Sequence, residues 1–269
     1  MATIGTDPEF FVRNSEHQIV PGCTMIGGTK STPLPLPGLP DGFGVQEDNV
    51  MAELTVPPAI SGDSFAENIR VGMEKINDLI GANDLTLDTT HCEYVFSHEA
   101  LDQYAGASVF GCSPDFDAYQ HGAQRPTLSH EQVGRVRMCG GHVHIGADCS
   151  APHFVQAMFG DVFLGLWSVG RDPQATRRKW YGQPGTFRPT PYGFEYRTMS
   201  NFWTYGEDTR YEVGNYAMNL ARFLEQDGKV IREAMLSINW QQVRTLIAEN
   251  TDDQVAYKLH QTLMQELSI

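Results

Sequence analysis

Alternating apolar and polar residues predict strands in the first three quarters of the chain, whereas helical spacing dominates the last quarter. The predicted strands are 3–13, 49–56, 91–97, 136–147 and 193–202. A glycine- and proline-rich stretch, 21–44, is long for a passive connection, which is typical of a functional loop. Residues 98–134 show no pattern that assigns them to an element.

Helical spacing occurs in three parts of the chain. Apolar residues recur every three or four positions over 61–80, and a second helix is predicted over 152–170. Helices fill the chain from position 209 onward, with breaks near Gly228 and Asn239. Strands followed by helices favour an α+β fold, in which helices back an antiparallel sheet.

No shift in composition marks a domain boundary. We therefore expect a single domain over 1–269, with a helical C-terminal part at about 206–269. The 269 residues, of which 41% are hydrophobic, are enough to form a sizeable core.

The chain is strongly acidic, with 19 basic and 33 acidic residues and a net charge of −14. This charge repels nucleic-acid backbones and anionic lipids, so general nucleic-acid binding and membrane binding are disfavoured. No apolar run is long enough to span a bilayer, and the N-terminus lacks the pattern of a secretory signal. Five cysteines without a Cys-x-x-Cys pair indicate reduced thiols, so we expect a cytoplasmic protein.

Two carboxylates stand two residues apart in the first predicted strand, at Asp7 and Glu9. Side chains at this spacing share one face of a strand, where they repel unless a cation or a proton lies between them. Mg²⁺ prefers oxygen ligands of this kind. A solvated strand face is the alternative interpretation.

The run 140–146, Gly-Gly-His-Val-His-Ile-Gly, places His142 and His144 on one strand face beside two glycines. The pair could bind zinc or iron, could supply one metal ligand and one substrate contact, or could be two surface histidines. Zinc would need further nitrogen or sulfur ligands, and no other paired motif offers them.

Glu195 and Arg197 repeat the two-residue spacing with opposite charges. They form either a salt bridge or two separate contacts, one to a metal and one to a phosphate. Glu53 lies inside a predicted strand, and Asp48 can join it at one site only if a bulge or turn intervenes. Five cations cluster before Glu195, as expected for an anionic ligand or a solvated loop: Arg171, Arg177, Arg178, Lys179 and Arg188.

Several common catalytic motifs are missing from the sequence. It contains no phosphate-binding loop of the Gly-x-x-x-x-Gly-Lys type, no dinucleotide fingerprint and no Gly-x-Ser-x-Gly elbow.

Taken together, four blocks in this order resemble the carboxylate–amine ligases of the glutamine synthetase fold. The blocks are 5–11, 46–53, 140–146 and 192–203. They are most similar to the phage-type branch, the COOH–NH2 ligase type 2 family, and the resemblance covers about 4–205. It implies a curved antiparallel sheet of the glutamine synthetase-like catalytic fold, which binds ATP and Mg²⁺ or Mn²⁺ on its inner face.

The resemblance also implies roles for individual residues. The implied metal ligands are Asp7, Glu9, Asp48, Glu53, His142 and Glu195. The implied catalytic residues are Arg197, Arg188 and Glu53, with the two arginines on the transferred phosphate. The implied contacts to the nucleotide or substrate are Lys30, His144, Arg178 and Arg197.

The implied reaction joins a carboxylic acid to an amine through an acyl phosphate, with release of ADP and phosphate. Its partners are ATP, an acid and an amine, and the resemblance places a phage-encoded chain in the cytoplasm of a bacterial host. Two alternatives remain open: a catalytically silent binding or structural phage protein on the same fold, or a single-metal hydrolase or oxygenase that uses His142, Glu53 and Glu9. The substrates and the oligomeric state are open as well.

Overall fold

The computed structural model describes residues 1–104, 107, 115–126 and 130–267. Its strands are β1 (Thr3–Thr6), β2 (Glu9–Phe10), β3 (Val12–Arg13), β4 (Ile19–Val20), β5 (Leu34–Pro35), β6 (Gly44–Asp48), β7 (Met51–Thr55), β8 (Thr86–Leu87), β9 (Glu93–Val95), β10 (Phe116–Asp117), β11 (Ala123–Gln124), β12 (Val136–Met138), β13 (Val143–Gly146), β14 (Thr186–Thr190) and β15 (Gly193–Tyr196). Its helices are α1 (Gly62–Ile80), α2 (His98–Asp102), α3 (His130–Val133), α4 (His153–Gly160), α5 (Leu166–Ser168), α6 (Ala175–Lys179), α7 (Glu207–Leu224), α8 (Gly228–Ser237), α9 (Trp240–Glu249) and α10 (Asp253–Glu266).

The strands pair antiparallel throughout the described part of the chain, and helices cover the sheets, which confirms the mixed fold with antiparallel sheets. The largest sheet has the order β1-β13-β15-β14-β10-β11, and a second has the order β2-β7-β6-β5. Two smaller sheets contain β4-β3-β8 and β12-β9. Within the described ranges no sheet closes into a barrel.

The N-terminal segment 3–13 is not the single strand that the sequence predicts. It breaks into β1, β2 and β3, and each piece pairs in a different sheet. Pro8 lies at the first break. It has no N–H to donate to a neighbouring strand, although its carbonyl oxygen accepts a hydrogen bond from Leu54 N at 3.0 Å. The strands therefore form several sheets joined by this segment, rather than the one curved sheet that was expected.

The six-stranded sheet has one apolar face and one polar face. Ile4, Ile145 and Phe194 are aligned across three strands and are buried in the main core. On this side, α7 packs against β1 and β13, while α4 packs against β14 and β15. Successive residues of a strand point to opposite faces, so their neighbours in the sequence face away from the core.

Several predicted elements agree with the structure and others were missed. The helix predicted over 61–80 forms as α1, with the Ser61 side chain accepting from Ser64 N. The predicted breaks near Gly228 and Asn239 are confirmed, because Asp227 and Asn239 cap α8 and α9. The strands β6 and β14 and the helix break at Asn250 were not predicted.

No helix in the described ranges is long and apolar enough to cross a lipid bilayer. Four cysteines in these ranges carry free thiols: Cys23, Cys92, Cys139 and Cys149.

Behind the polar face, a buried carboxyl group fixes the helical layer to the sheet. Asp161 lies in a π-helical turn between α4 and α5, and its Oδ1 accepts from Tyr196 OH at 2.6 Å and Gly185 N at 3.0 Å. Its Oδ2 accepts from Tyr119 OH at 2.9 Å. Burial raises the pKa of Asp161 to about 6, and the hydrogen bonds from Tyr196, Gly185 and Tyr119 limit the increase.

We predict that Tyr196→Phe lowers the free energy of unfolding by about 1–3 kcal/mol, because a buried acceptor loses its donor. The pKa of Asp161 is above its ordinary value, so its contribution to stability falls as the pH rises from about 4 to about 6. Without the hydroxyl group this pKa rises further, and the loss is larger at pH 8, where Asp161 is ionised, than at pH 5. Urea unfolding at both pH values measures the loss, and the half-exposed Tyr257→Phe is the control.

Candidate active site

The polar face of the six-stranded sheet carries a row of charged side chains that the strand register sets. His144 on β13 lies opposite Glu195 on β15, which lies opposite Arg188 on β14. Directly opposite residues share a face of an antiparallel sheet. Arg188 Nη1 lies 3.3 Å from Glu195 Oε2, and Arg188 Nη2 lies 3.3 Å from Asp115 Oδ1 at the far end of the row.

A second row lies beside the first, beyond the ends of the same strands. His142 Nδ1 is 3.3 Å from Asp7 Oδ1 and 3.2 Å from Glu195 Oε1. Arg197 forms an ion pair with Glu195, and its Nε lies 2.9 Å from Asp115 Oδ1. The two rows bring the motifs of three distant parts of the sequence into direct contact.

The two glycines before His142 are required by close packing. A Cβ atom on Gly140 would lie 2.4 Å from His142 Nε2, because the imidazole ring folds back over this residue. A Cβ atom on Gly141 would lie 2.4 Å from the carbonyl oxygen of Ser200 and 2.5 Å from Trp203 Nε1. Gly140 therefore makes room for the site, and Gly141 makes room for the backbone next to it.

The second sheet supplies a further row of polar residues. Glu9 on β2 lies opposite Glu53 on β7, and Glu53 lies opposite Gln46 on β6. Gln46 Nε2 donates to Glu53 Oε2 at 2.6 Å, and Gly140 N donates to Glu9 Oε2 at 2.6 Å. The second contact joins this sheet to the histidine motif.

Asp48 reaches the same face as Glu53 because a turn separates the two residues. β6 and β7 form a hairpin whose turn contains Asn49 at φ 57°, a left-handed conformation that asparagine tolerates. Asp48 stands two residues from Gln46 and thus shares its face. The turn that the sequence analysis required for Asp48 and Glu53 to share a site is present.

The carboxyl groups of the two sheets differ in their electrostatic surroundings. Burial alone would raise the pKa of Glu195, but Arg197 and the histidines lower it below its usual value. Burial would likewise raise the pKa of Asp7. His144 and His142 favour the ionised form and hold this pKa well below its usual value. On the six-stranded sheet, both carboxylates are therefore ionised and paired.

The carboxyl groups of the second sheet form no ion pair with a described residue. Burial, followed by the charge of Asp48, raises the pKa of Glu9 to about 7. Burial and the neighbouring carboxylates raise the pKa of Glu53 well above its usual value, and burial also raises that of Asp48. These groups would ionise together only if a cation came between them.

The two histidines differ in protonation. Burial, together with Arg197, lowers the pKa of His142 to about 4, so its imidazole is neutral at pH 7. Burial also opposes the charge on His144, but Asp7 raises the pKa of His144 above its usual value. His144 Nδ1 lies 2.7 Å from Tyr192 OH, and the two rings stack with centroids 6.1 Å apart.

Three ligand atoms converge in the geometry that a metal ion needs. One from each of Asp7, His144 and Glu195 lies within 4.8 Å of the other two. Asp7 Oδ1 and His144 Nε2 are buried and 3.2 Å apart, an ion pair whose geometry does not form a hydrogen bond. A cation bound between them would ligate both atoms in place of this pair. The donor set of two carboxylates and one imidazole fits a divalent ion.

Two clefts meet at this cluster. The first, which we call the arginine cleft, has a volume of about 100 Å³ and is lined by Glu9, Asp48, His142, Arg177 and Arg197, among others. The second, which we call the tyrosine cleft, has a volume of about 520 Å³ and is lined by Asp7, Lys30, Glu53, His144 and Tyr192, among others. The volume of the tyrosine cleft is in the range of small-molecule sites, and the arginine cleft is smaller.

The structure brings most of the predicted site residues together. The residues at this cluster or in its clefts are Asp7, Glu9, Lys30, Asp48, Glu53, His142, His144, Arg188, Glu195 and Arg197. Arg178 is not among them: its side chain is fully buried elsewhere, with Nη2 2.6 Å from Ser168 Oγ and 3.4 Å from Asp172 Oδ2. It fixes α6 to the helical layer, whereas the adjacent Arg177 lines the arginine cleft.

The two histidines have different neighbours, and the group of three close ligand atoms does not contain His142, the histidine that the resemblance implies as a metal ligand. Nδ1 of His142 faces Asp7 and Glu195, while its Nε2 lies 3.3 Å from Arg177 Nη2. The group of three ligand atoms contains His144 instead. The geometry thus favours His144 as the histidine that binds a metal ion.

Four residues of the site were given no individual role from the sequence: Asp115, Arg177, Gln46 and Tyr192. Gln46 and Tyr192 lie within motif blocks, and Arg177 belongs to the cation cluster, so these three had a local signal. Asp115 lies in the unassigned stretch 98–134, and it reaches the site only because β10 pairs with β14.

We predict that alanine at Gly141 affects mainly the stability and that alanine at Gly140 affects mainly ligand binding. Gly141→Ala lowers the stability by about 1–3 kcal/mol, because its methyl group meets backbone that is fixed in place. Gly140→Ala displaces the imidazole of His142 and weakens ligand binding more than it changes the stability. Thermal unfolding with and without Mn²⁺ measures both effects.

Gly81→Ala is the matched control for these two variants, because a Cβ atom there meets nothing within 4 Å. A stability of Gly141→Ala equal to that of this control would contradict the packing argument.

No curated protein matches the chain. A family model matches residues 134–250 and is described as phage phiEco32-like COOH.NH2 ligase-type 2. The matched segment includes the histidine motif, Glu195 and Arg197, whereas the blocks around Glu9 and Glu53 precede it. Over 134–250, the chain is similar to this family, in agreement with the resemblance that the sequence motifs indicated.

Proposed function

We propose that the protein is an ATP-dependent carboxylate–amine ligase, which forms an amide through an acyl phosphate and releases ADP and phosphate. The family description, COOH.NH2 ligase, supports the joining of a carboxyl group to an amino group. The observation that carries the proposal is the meeting of the two charged faces. Carboxylates that need a cation lie on one face, and arginines that can hold a phosphate lie on the other.

Divalent metal ions, Mg²⁺ or Mn²⁺, fit the oxygen-rich character of this cluster. Asp7, His144 and Glu195 would hold one ion, and Glu9, Asp48 and Glu53 are placed to hold another. When bound, such ions neutralise the phosphate oxygens of the nucleotide and offset the repulsion among the carboxylates.

Arg188 and Arg197 are placed to hold the transferred phosphoryl group. Both guanidinium groups contact Glu195, and both contact Asp115, so their positions are fixed before any substrate binds. Guanidinium groups match the oxygens of a phosphate, and preorganised charge stabilises a transition state without reorganisation.

The linings of the two clefts support a division of the substrates. The tyrosine cleft is the larger and combines apolar residues such as Ile4 and Val56 with an aromatic ring, Tyr192, and a cation, Lys30. This lining suits a nucleotide, whose base is flat and whose phosphates are anionic. The arginine cleft then receives the acid and the amine. Lys30 and His144 keep the nucleotide-binding role that the family resemblance implies.

The proposed reaction has two steps that balance. A carboxylate oxygen attacks the γ-phosphorus of ATP in line, which breaks the bond to ADP and gives an acyl phosphate. The amine nitrogen then attacks the acyl carbon, phosphate leaves, and the amine loses a proton. Glu53 and Glu9 lie opposite each other at the boundary between the clefts. With the second ion bound both would be ionised, and a carboxylate oxygen that does not ligate the ion would accept this proton.

We predict that the protein binds Mn²⁺ and that Asp7→Asn and His144→Ala each weaken this binding about 10-fold or more, since each removes a ligand. Electron paramagnetic resonance of free Mn²⁺ measures the affinity. The exposed Glu233→Gln is the control, because its carboxylate pairs only with Lys229 at 3.8 Å. Loss of binding in His142→Ala with full binding in His144→Ala would show that the other histidine is the ligand.

We predict that Glu195→Gln and Arg197→Ala lower the rate of ADP release on the order of 10²–10³-fold while the fold is retained. Glu195→Gln removes a proposed metal ligand that also holds Arg197, and Arg197→Ala removes positive charge from the transferred phosphate. A panel of carboxylic acids with ATP, Mg²⁺ and hydroxylamine as the amine detects the acyl group as its hydroxamate. Coupled assay of ADP gives the rate.

Normal turnover in both variants would show that the site is elsewhere. A purified protein that holds zinc or iron tightly and releases no ADP with any acid would instead support single-metal chemistry.

A further inference from the structure

Tyr192 lies between the tyrosine cleft and the group of three candidate metal ligands. Its hydroxyl oxygen is 2.7 Å from Nδ1 of His144, and the two rings stack with an interplanar angle of 16°. The other ring nitrogen of His144, Nε2, faces Asp7 Oδ1 at 3.2 Å. Tyr192 thus contacts one edge of an imidazole whose opposite edge faces Asp7, a member of the group formed with Glu195.

The backbone brings Tyr192 to the polar face against the alternation of the strand. Tyr192 stands three residues before Glu195, a spacing that would place the two on opposite faces of a continuous strand. However, β15 begins only at Gly193, where φ is 153°, a conformation that favours glycine. A Cβ atom on Gly193 would clash with the carbonyl oxygen of Ile145. Glycine therefore lets the turn lie close against β13, the strand that carries His144.

The contact with Tyr192 bears on which nitrogen of His144 can bind a metal ion. A neutral histidine that ligates through Nε2 keeps its proton on Nδ1, and this N–H needs an acceptor. A phenol oxygen can accept such a hydrogen bond, and that of Tyr192 is at the right distance. A partner of this kind fixes the orientation of the ring and raises the basicity of the ligating nitrogen.

His142 has different partners on the same two edges. Its Nε2 lies 3.3 Å from Arg177 Nη2, and a guanidinium group can only donate, so the lone pair of this nitrogen is used within the protein. Its Nδ1 faces the carboxylates of Asp7 and Glu195. The partner at Nδ1 therefore distinguishes the two histidines, because only the imidazole of His144 meets a phenol there.

We propose that Tyr192 is a positioning residue for the metal site. Its hydroxyl oxygen accepts from Nδ1–H of His144 and so holds Nε2 toward the ion that Asp7, His144 and Glu195 would bind. The proposal rests on the proposed function, because that function assigns an ion to this group. The ring of Tyr192 also lines the tyrosine cleft, so the ring and the hydroxyl group have separate roles, and a substitution can remove one and keep the other.

The test measures Mn²⁺ binding without nucleotide, so that its result does not depend on turnover. Electron paramagnetic resonance of free Mn²⁺ gives the affinities of the wild type and of Tyr192→Phe, which keeps the ring and removes only the hydroxyl group. Tyr257→Phe is the matched control, because Tyr192 and Tyr257 are both 50% exposed. Circular dichroism in EDTA checks that each variant has the fold of the wild type.

Tyr192→Phe is expected to weaken Mn²⁺ binding about 10-fold, as is typical when the hydrogen-bond partner of a ligating histidine is lost, and Tyr257→Phe is expected to leave it unchanged. The same substitution is then made in two further backgrounds. In His144→Ala it is expected to have no additional effect, because the hydroxyl group acts only through the imidazole. In Glu195→Gln, where the imidazole remains, it is expected to weaken binding by a further 10-fold or so.

Wild-type affinity for Mn²⁺ in Tyr192→Phe would overturn the proposal. An equal loss of affinity with and without the imidazole of His144 would also overturn it, because that loss would be structural. Unchanged Mn²⁺ binding in His144→Ala would overturn it together with the metal ligands of the proposed function. Absence of ADP release with any acid, in a protein whose Mn²⁺ affinity depends on Tyr192 through His144, would support the proposal and contradict only the ligase reaction.

Discussion

The crowding of buried carboxyl groups is the constraint on which the rest of the site depends. Asp7, Glu9, Glu53 and Glu195 approach one another from two sheets, and their mutual repulsion must be balanced. The six-stranded sheet balances its share with two arginines and two histidines. The second sheet region offers the amide of Gln46 to Glu53 and the N–H of Gly140 to Glu9, and burial still raises the pKa of both carboxyl groups.

This asymmetry gives the two faces separate roles. The six-stranded face is charged and ordered by its own ion pairs, and its arginines are held by Glu195 and Asp115 before a ligand binds. The second face carries buried carboxyl groups with raised pKa values, whose ionised forms a nearby positive charge would favour. Arg177 lines the arginine cleft as a buried cation, and the charge of Glu9 favours its ionised form. Together these features fit the proposed binding of metal ions and a carboxylate substrate.

Much of the site was visible in the sequence, because its residues stand in places where a strand would normally carry apolar or neutral side chains. The two-residue spacing of His142 and His144 and of Glu195 and Arg197 correctly places each pair beside the same sheet face. The glycines before His142 were associated with close approach, and the approaching groups are the imidazole itself and the backbone of Ser200.

The remaining features depend on pairings between distant segments, which local patterns do not encode. β14 contains Arg188 and Pro189 and lacks a regular alternation, so its role as the neighbour of β15 was not predicted. Strands of two residues, such as β2 and β3, are too short to show a period. The choice between Arg177 and Arg178 depends on the turn of a five-residue helix, and position in the sequence alone cannot distinguish them.

The division of the N-terminal segment among three sheets has a consequence for how the site can open. Asp7 follows a strand of one sheet and Glu9 begins a strand of the next, so the two proposed groups of metal ligands stay together only while both sheets are docked. A local opening that detaches one edge strand, which in many proteins costs far less than global unfolding, would here separate the carboxylates. Metal binding as proposed would therefore be linked to the association of the sheets, and ions bound between them would stabilise that association.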